Sequence, residues 1–336
     1  MTHVAETGTF RHTSYITYSA PCPVPLDPNS YVYTMNYYSF NQYLREKFNT
    51  KVRKIGLNTK FDCPNKNGDI SSEGCIFCNE TGFSEFAESK LTLEQQLEAA
   101  MQAIRGRRAQ KFIAYFQNGT NTNASLKKLK KAYDIVRKYD DIVGLSISTR
   151  PDCVDEEKLD LIADYTRDYD VWVEYGVQTV DNRRLKMLNR GHTFDDSVKA
   201  IKRTAEKGIK VGVHMILGLP GERKSDIIKT AEILSELPIH GVKFHALHVL
   251  RDTDLVKAFE KGKIKLLEKR EYIEKICDFI EHLRFDCVIL RLVSDAKREV
   301  LVAPKWMGNK LDIIRKIDKE FARRGTKQGI YHQRHL

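Results

Sequence analysis

Between Val52 and Val249, six strand-like runs alternate with helical patterns, and a polar or glycine-rich segment follows most of the runs. Together these predict an α/β protein built on a parallel sheet. Parallel strands need crossovers, and right-handed crossovers leave two architectures open, a doubly wound sheet or a barrel. Length does not choose between them. The 336 residues could hold two average domains, yet α/β barrels often run past about 200 residues as one.

Taken in order, residues 1–34 carry four prolines between Pro21 and Pro28, few charges and no period, and read as a poorly ordered extension; Met35 could be an alternative start. Phe40, Tyr43, Leu44 and Phe48 fall at helical spacing. The strand-like runs are Val52–Leu57, Lys111–Phe116, Ile142–Ser148, Val171–Val177, Lys210–Leu217 and Val242–Val249. Thr92 and Gln95 form a capping-box signature ahead of Leu93, Leu97, Met101 and Ile104, and Ser125, Asp155, Asp195 and Ser225 are candidate caps for later helices. A helix around Glu271–Leu283, a run Cys287–Val293 and a last helix near Leu311–Arg324, ended by Gly325, form an α+β appendage. The expected organisation is an extension (1–34), a main α/β unit (35–250) and a basic C-terminal part (251–336), without internal repeats or low-complexity tracts.

Lys and Arg total 56 against 45 acidic residues, a net charge of +11, which favours a polyanionic partner such as nucleic acid. The excess is uneven: Lys297 to Leu336 holds eleven basic and four acidic residues. That stretch is either a solvated amphipathic helix or a surface for phosphate backbone. Seven cysteines, three of them in one loop, do not resemble a disulfide framework and fit a reducing cytoplasm. No run of about 18 apolar residues marks a membrane span, and no basic segment followed by an apolar one marks a secretory signal. A soluble, cytoplasmic protein without a membrane partner is expected.

The three clustered thiols are Cys63, Cys75 and Cys78, spaced C-x11-C-x2-C in a Gly-, Asn-, Asp- and Ser-rich loop after the first strand. Thiolates select zinc, Cu(I) or iron–sulfur clusters. Structural zinc needs a fourth ligand, and none lies at a usual spacing after Cys78, the next candidates being Cys153 and His192. From the triad alone, an iron–sulfur cluster and zinc with a distant ligand both remain open. Other informative segments recur at strand ends, where α/β sites lie: Gln117-Asn118-Gly119-Thr120, Thr149-Arg150-Pro151-Asp152, Glu174 through Gln178, and Leu217-Gly218-Leu219-Pro220-Gly221-Glu222. A zinc-stabilised loop would not require this convergence.

Phe77 before Cys78, Val173-Glu-Tyr-Gly-Val-Gln178, Asn189-Arg190-Gly-His192-Thr and Gly218-Leu-Pro-Gly-Glu222, in that order, resemble the radical S-adenosylmethionine (radical SAM) enzymes over about Val52 to Val249. The widened cysteine spacing with Arg150-Pro151-Asp152 is most similar to the branch related to the Elongator catalytic subunit. Phe61-Asp-Cys63-Pro-Asn and Ala303-Pro304-Lys-Trp306 resemble a bacterial and archaeal subfamily, some members of which are connected with the C5 side chain of the tRNA wobble uridine. The resemblance implies a partial (β/α)6 TIM-type barrel with a C-terminal α+β extension. It also implies a [4Fe-4S] cluster on Cys63, Cys75 and Cys78, with S-adenosylmethionine on the open iron, cleaved to a 5′-deoxyadenosyl radical. Implied partners are tRNA and an external electron donor such as flavodoxin or ferredoxin.

On that resemblance, Phe77 shields the cluster and Gly119 lets backbone approach the methionine moiety, with Gln117, Asn118 and Thr120 offering polar atoms. Arg190 grips the methionine carboxylate, and Ser148, Glu174, Gln178 and Leu217 complete the cofactor contacts. Two departures stand out: the family's usual spacing is C-x3-C-x2-C, and its Gly-Gly-Glu after the second strand is replaced here by Gln117-Asn118-Gly119-Thr120. No acetyltransferase domain follows, so acetyl-CoA chemistry is not expected. Alternation sends His245 and His248 to opposite faces, so at most one of His214, His245 and His248 is expected at a substrate cavity. Cys22, Cys153, Cys277 and Cys287 read as structural. The competing readings are a radical SAM enzyme with a small-molecule or protein substrate, and a non-catalytic, zinc-stabilised nucleic-acid-binding protein.

Overall fold

The computed structural model describes residues 36–79, 89–104, 109–294 and 299–332; the predicted extension and Cys22 lie outside them. The elements run α1 (Phe40–Phe48), β1 (Val52–Leu57), α2 (Leu93–Ile104), β2 (Lys111–Phe116), α3 (Leu126–Tyr133), β3 (Ile142–Thr149), α4 (Glu156–Ala163), β4 (Asp170–Gln178), α5 (Asn182–Met187), α6 (Phe194–Glu206), β5 (Lys210–Leu217), α7 (Lys224–Ser235) and β6 (Gly241–Ala246). Then follow β7 (Val249–Leu250), α8 (Asp254–Glu260), α9 (Lys269–His282), β8 (Val288–Arg291), β9 (Leu301–Ala303) and α10 (Lys310–Arg324).

The main sheet has the order β1-β2-β3-β4-β5-β6-β8, parallel throughout, and curls into a partial barrel. The predicted six-strand barrel thus gains a seventh strand from the run Cys287–Val293, which continues the sheet on β6 instead of standing in a separate appendage. The predicted run Val242–Val249 is split: β6 ends at Ala246, and β7 pairs antiparallel with β9.

Strand periodicity decides what faces where. Phe112, Ala114 and Phe116 of β2, Val171, Val173, Tyr175 and Val177 of β4, and Val242, Phe244 and Ala246 of β6 belong to the main apolar core, which the outer helices cover. Phe244 meets Phe279 of α9 edge to face, ring centroids 4.8 Å apart. The alternate positions, Tyr115, Glu174, Gly176, Gln178, Lys243 and His245, turn the other way and fill the barrel with polar groups.

Helices start where local donors are satisfied. Thr92 and Gln95 form the predicted reciprocal cap, Asp155 caps α4, and Ser125 precedes α3 without a side-chain bond. Two caps shift. Thr193, not Asp195, caps α6, because the Asp196 carboxylate accepts the Thr193 N–H. Arg223, not Ser225, starts α7, its N–H bonded to Asp226. Gly325 ends α10 in the left-handed region, as expected.

The barrel's lower mouth is plugged by α1. Phe40 and Tyr43 meet Trp172 edge-on at 6.0 and 5.6 Å. Below them Asp170, its side chain fully buried, accepts from Tyr43 Oη (2.7 Å), Lys47 Nζ (2.6 Å), Lys210 Nζ (2.9 Å) and Trp172 Nε1 (2.8 Å). Removing one partner of a buried charge pair strands the others. Asp170→Ala is therefore expected to lower unfolding free energy by about 3–5 kcal/mol, read as a lower urea midpoint at unchanged slope, with Asp170→Asn between variant and wild type. A loss no larger than that of an exposed ion pair, about 1 kcal/mol or less, would refute this role for the plug.

Candidate functional site

The cysteine loop follows β1 at the upper mouth. Cys63 is half-buried, Cys75 buried and Cys78 exposed, and all three line one cavity of about 520 Å³. The eleven residues between Cys63 and Cys75 are tied down: Cys63 O accepts Lys66 N (2.8 Å) and Asn67 N (3.0 Å), and Pro64 O accepts Ile70 N (2.8 Å). Asn65 Nδ2 donates to Asn189 O (2.7 Å) and Cys75 Sγ (3.4 Å), while Asn189 Nδ2 donates to Gly74 O (2.6 Å). The widened spacing is thus absorbed by a folded insert clamped to the segment after α5. Beneath it, Ile76 and Phe77 pack against Leu188, Ile216, Leu219, Leu247, Val249 and Leu255.

The loop after β2 closes a second side. Gly119 has φ 76°, and a Cβ there would stand 2.6 Å from Phe61 O, so the close approach of the two loops requires glycine. Asn121 braces the turn by donating to Phe116 O and Ser148 O and accepting from Thr59 Oγ1. At the end of β4 a register shift between Tyr175 and Gln178 puts Gln178 at φ 70°. Such a bulge re-aims a side chain, and Gln178 lines the cavity.

Phe77, Gln117, Asn118, Gly119, Thr120, Ser148, Gln178 and Arg190 all line the cavity with the three cysteines. Two anticipated residues do not. Leu217 faces the main apolar core, because on β5 the alternate residues Gly212, His214 and Ile216 point inward. Glu174 is sealed under the cavity floor. The bidentate grip expected of Arg190 would compete with bonds it already makes: Nη2 donates to Gly176 O (2.8 Å), Nη1 to Cys75 Sγ (3.1 Å) and Nε to His192 (3.3 Å). Arg150 is instead locked onto Asp152 through two bonds of 2.9 and 2.7 Å.

The floor is a polar network. Glu174 Oε1 is bonded to Lys54 and accepts from Ser146 Oγ (2.6 Å), while Oε2 accepts from Lys243 Nζ (3.0 Å) and lies 2.7 Å from His214 Nε2. Burial opposes ionisation of Glu174, but Lys243 and Lys54 override it and hold its pKa well below the ordinary carboxylate value. Burial pushes Lys243 down to about 7 against the pull of Glu174, and burial with Lys243 pushes His214 down to about 3. Burial and Arg291 likewise hold His245 neutral.

His214 and His245 both line the cavity, correcting the expectation that at most one histidine would. They sit on neighbouring strands in the register His214↔Lys243 and Ile216↔His245, so the same alternation that separates His245 from its neighbours places it beside His214, rings 5.6 Å apart. Tyr115, Lys243 and Arg291 also line the cavity and were missed by sequence reasoning. The available signal was a charged residue at an interior position of an otherwise apolar strand, as in Val242-Lys243-Phe244 and Leu290-Arg291-Leu292.

The donor set fits an anionic sulfur cluster. Asn65 and Arg190 donate to Cys75 Sγ, and the buried Arg150 Nη1, from a residue that borders the same cavity near Cys63, has no hydrogen-bond partner among the described residues. Among the described residues no three His, Cys, Asp or Glu side chains are placed to share one metal ion. Thiols that each bind a different iron need not converge on one point.

Comparison with known proteins agrees. The radical SAM superfamily model matches residues 68–234, and the radical SAM C-terminal domain model residues 239–323. An uncharacterized protein of Methanocaldococcus jannaschii is 41% identical over 85% of this chain and 89% of its own. The Escherichia coli protein YhcC is 34% identical over 84% and 91%. A tRNA uridine(34) acetyltransferase of M. jannaschii is 34% identical over 40% of this chain, which spans 25% of that protein. The structure of archaeal Elp3 from Methanocaldococcus infernus shares the fold with TM-score 0.59 at 19% identity, covering 83% of this chain and 64% of Elp3.

Above β5, Glu222 Oε2 accepts Gly218 N–H at 2.6 Å and ties the turn. Burial raises this carboxyl from 4.5 to about 7. A group that holds its proton more tightly when folded gives stability that is whole below the unfolded pKa and is lost as pH rises through the folded one. Glu222→Gln should therefore match wild type near about pH 4.5 and exceed its stability above about pH 8, by roughly 1–3 kcal/mol. Thermal melts showing a pH-independent difference across that window would contradict this.

Proposed function

This chain belongs to the radical SAM superfamily, enzymes whose cofactors are a [4Fe–4S] cluster and S-adenosylmethionine, and from that premise we propose that it modifies RNA, specifically the side chain of a tRNA wobble uridine. The observation that carries the catalytic half is the convergence of Cys63, Cys75 and Cys78 with the strand-end loops on a single cavity. That convergence, with the family, argues against a non-catalytic zinc-stabilised module. The RNA half is supported by the likeness to tRNA uridine(34) acetyltransferases over part of the chain and by the basic C-terminal surface.

In this reading Cys63, Cys75 and Cys78 would each hold one iron of the cluster, which would supply the electron for reductive cleavage of S-adenosylmethionine, with methionine as one product. The chain's own residues position and shield. Arg190 and Asn65 donate to the Cys75 sulfur, which fixes its direction. Phe77 and the apolar cluster behind it keep water from one side of the loop. Gly119 lets the β2 loop backbone come close to a ligand, and Gln117, Asn118, Thr120, Ser148 and Gln178 present polar atoms around it.

The basic surface is narrower than the sequence count implies. Helix α10 carries six basic and three acidic residues, but Arg324 is turned inward onto Asp278, Glu281 and Glu320 and serves the packing of α9 on α10. Lys269, Arg270, Lys316, Lys319 and Arg323 border a groove between the two helices that Glu274 and Glu320 also line, with Lys269 and Lys316 paired to Asp312, Arg270 to Glu274 and Arg323 to Glu320 at the surface; this is the site proposed for phosphate backbone.

Anaerobically reconstituted protein should bind about four irons, and Cys75→Ala should lose both the visible cluster absorption and S-adenosylmethionine cleavage; a colourless wild type with one zinc would overturn the assignment. For RNA, binding should weaken steeply with salt, and the double variant Lys316→Gln, Lys319→Gln should reduce the slope of log K against log salt by about 2. Nucleosides from cells lacking the gene, compared with the parent strain by mass spectrometry, should lack one modified uridine. An unchanged profile would turn the reading toward a small-molecule substrate.

A further inference from the structure

We propose that Arg150 is a hydrogen-bond donor to the cluster at its Cys63 corner, its Nη1 donating to the cysteine sulfur or to the sulfide beside it, and that this bond makes the cluster easier to reduce. The role depends on the cluster assignment and not on whether the substrate is RNA.

The guanidinium is built into the wall of the site. Arg150 is 3% exposed, and its plane is set by Asp152, which accepts from Nε at 2.9 Å and from Nη2 at 2.7 Å. Gly191, at φ 68°, packs close to it: a Cβ there would stand 3.5 Å from Nη2. With one edge taken by the carboxylate, Nη1 keeps both of its hydrogens, and it is buried without a hydrogen-bond partner among the described residues. A buried donor on a charged group is costly to leave unmade. The other buried orphan beside Gly191 is Asn65 Oδ1, an acceptor that Nη1 does not bond, and a water bridging the two atoms is the competing occupant.

The sulfurs are unevenly served. Cys75 Sγ receives Asn65 Nδ2 at 3.4 Å and Arg190 Nη1 at 3.1 Å, and Cys78 is exposed. Cys63 is half-buried, and no donor reaches its Sγ among the described residues. Arg150 lines the same cavity as Cys63 and lies close enough for the two to interact electrostatically. A donor without an acceptor and a sulfur without a donor thus share one cavity wall. Arg190 shows the pattern completed: Gly176 O and His192 hold two of its nitrogens, and the third is given to a cysteine sulfur. Arg150 repeats it with Asp152 as the holder. Reduction adds one electron to an iron–sulfur centre and changes no covalent bond, so a cationic donor at the sulfur stabilises the reduced form over the oxidised one. Arginine suits this because it stays charged at any working pH.

Anaerobically reconstituted protein is titrated with dithionite without S-adenosylmethionine, following the electron paramagnetic resonance signal of the reduced cluster. Arg150→Met should lower the equilibrium constant for one-electron reduction about ten-fold, a midpoint about 59 mV more negative. Arg150→Lys should fall between it and wild type, and the exposed Arg183→Gln should match wild type. An Arg150→Met midpoint equal to that of Arg183→Gln, with about four irons bound, would overturn the proposal. So would a shift that appears only once S-adenosylmethionine is added, which assigns Nη1 to the nucleotide. If Arg150→Met takes up no cluster, Arg150→Lys decides, and a midpoint equal to wild type counts against the role.

Contact is read separately from charge. In protein labelled with the heavy nitrogen isotope in arginine, pulsed resonance on the reduced cluster should show a weak coupling to arginine nitrogen, part of which Arg150→Lys removes while Arg190 keeps the rest. A coupling unchanged in that variant leaves Nη1 to the water on Asn65 and excludes the direct bond. A wild type that binds no iron sinks the cluster assignment together with this role, whereas a loaded cluster indifferent to Arg150 sinks this role alone.

Discussion

The ionised Glu174 is the constraint on which the interior of this barrel depends. A carboxylate sealed from water is tolerable only when donors surround it, and here the donors come from β1, β3, β5 and β6, four strands that share few sequence neighbours. Each of those strands must therefore hold its register, since a slip of one residue would turn its inward side chain into the apolar outer layer. The apolar faces alone would tolerate several pairings of parallel strands; the carboxylate and its ring of partners select one. The same network leaves space above it, because charged and polar side chains cannot interlock into a dry plug as branched aliphatics do.

Above that space the chain builds a rigid rim from short polar clamps. The insert between Cys63 and Cys75 is held by asparagines at 65 and 189 that exchange bonds with opposite backbones, and the loop after β2 by Asn121. Asparagine is suited to this because one side chain both donates and accepts. The result is that three sulfur atoms and several glycine-permitted backbone approaches are fixed by a scaffold independent of any ligand, which is what positional chemistry asks of a site.

Much of this was readable in the sequence, and the misses have a physical pattern. The strands and helices of the main unit were legible because their outward faces alternate with strict period, as in Val211, Val213, Met215 and Leu217, and because caps such as Thr92 with Gln95 are local. The cavity's upper half was legible for a similar reason, since cysteines, glycines and loop amides announce themselves one by one. The floor was not. Lys243 and Arg291 stand out in their own segments only as charges inside apolar runs, and what they meet, like what Lys54 and Tyr115 meet, is decided by neighbours on other strands. Glu174 and Leu217 were placed one layer wrong because strand-end position was read without deciding which face each occupied. The seventh strand was missed because Val288–Arg291 is short and enters the sheet after a long excursion through α8 and α9.

The segment just before the α1 plug is fastened by the far end of the described chain. Gln328 accepts Tyr38 N–H (2.8 Å) on its side-chain oxygen, gives its backbone N–H to Asn36 O (2.8 Å) and reaches Arg284 O and Cys287 O with its amide nitrogen, while Ile289 N bonds Tyr38 O at 2.7 Å. During synthesis on the ribosome, Asn36 and Tyr38 must then wait for residues as late as Gln328 to emerge before these bonds can form. The last bonds to form join the segment before α1 to the one after α10 through one glutamine, so a premature stop near residue 320 would leave every sheet strand intact and still release the approach to the plug.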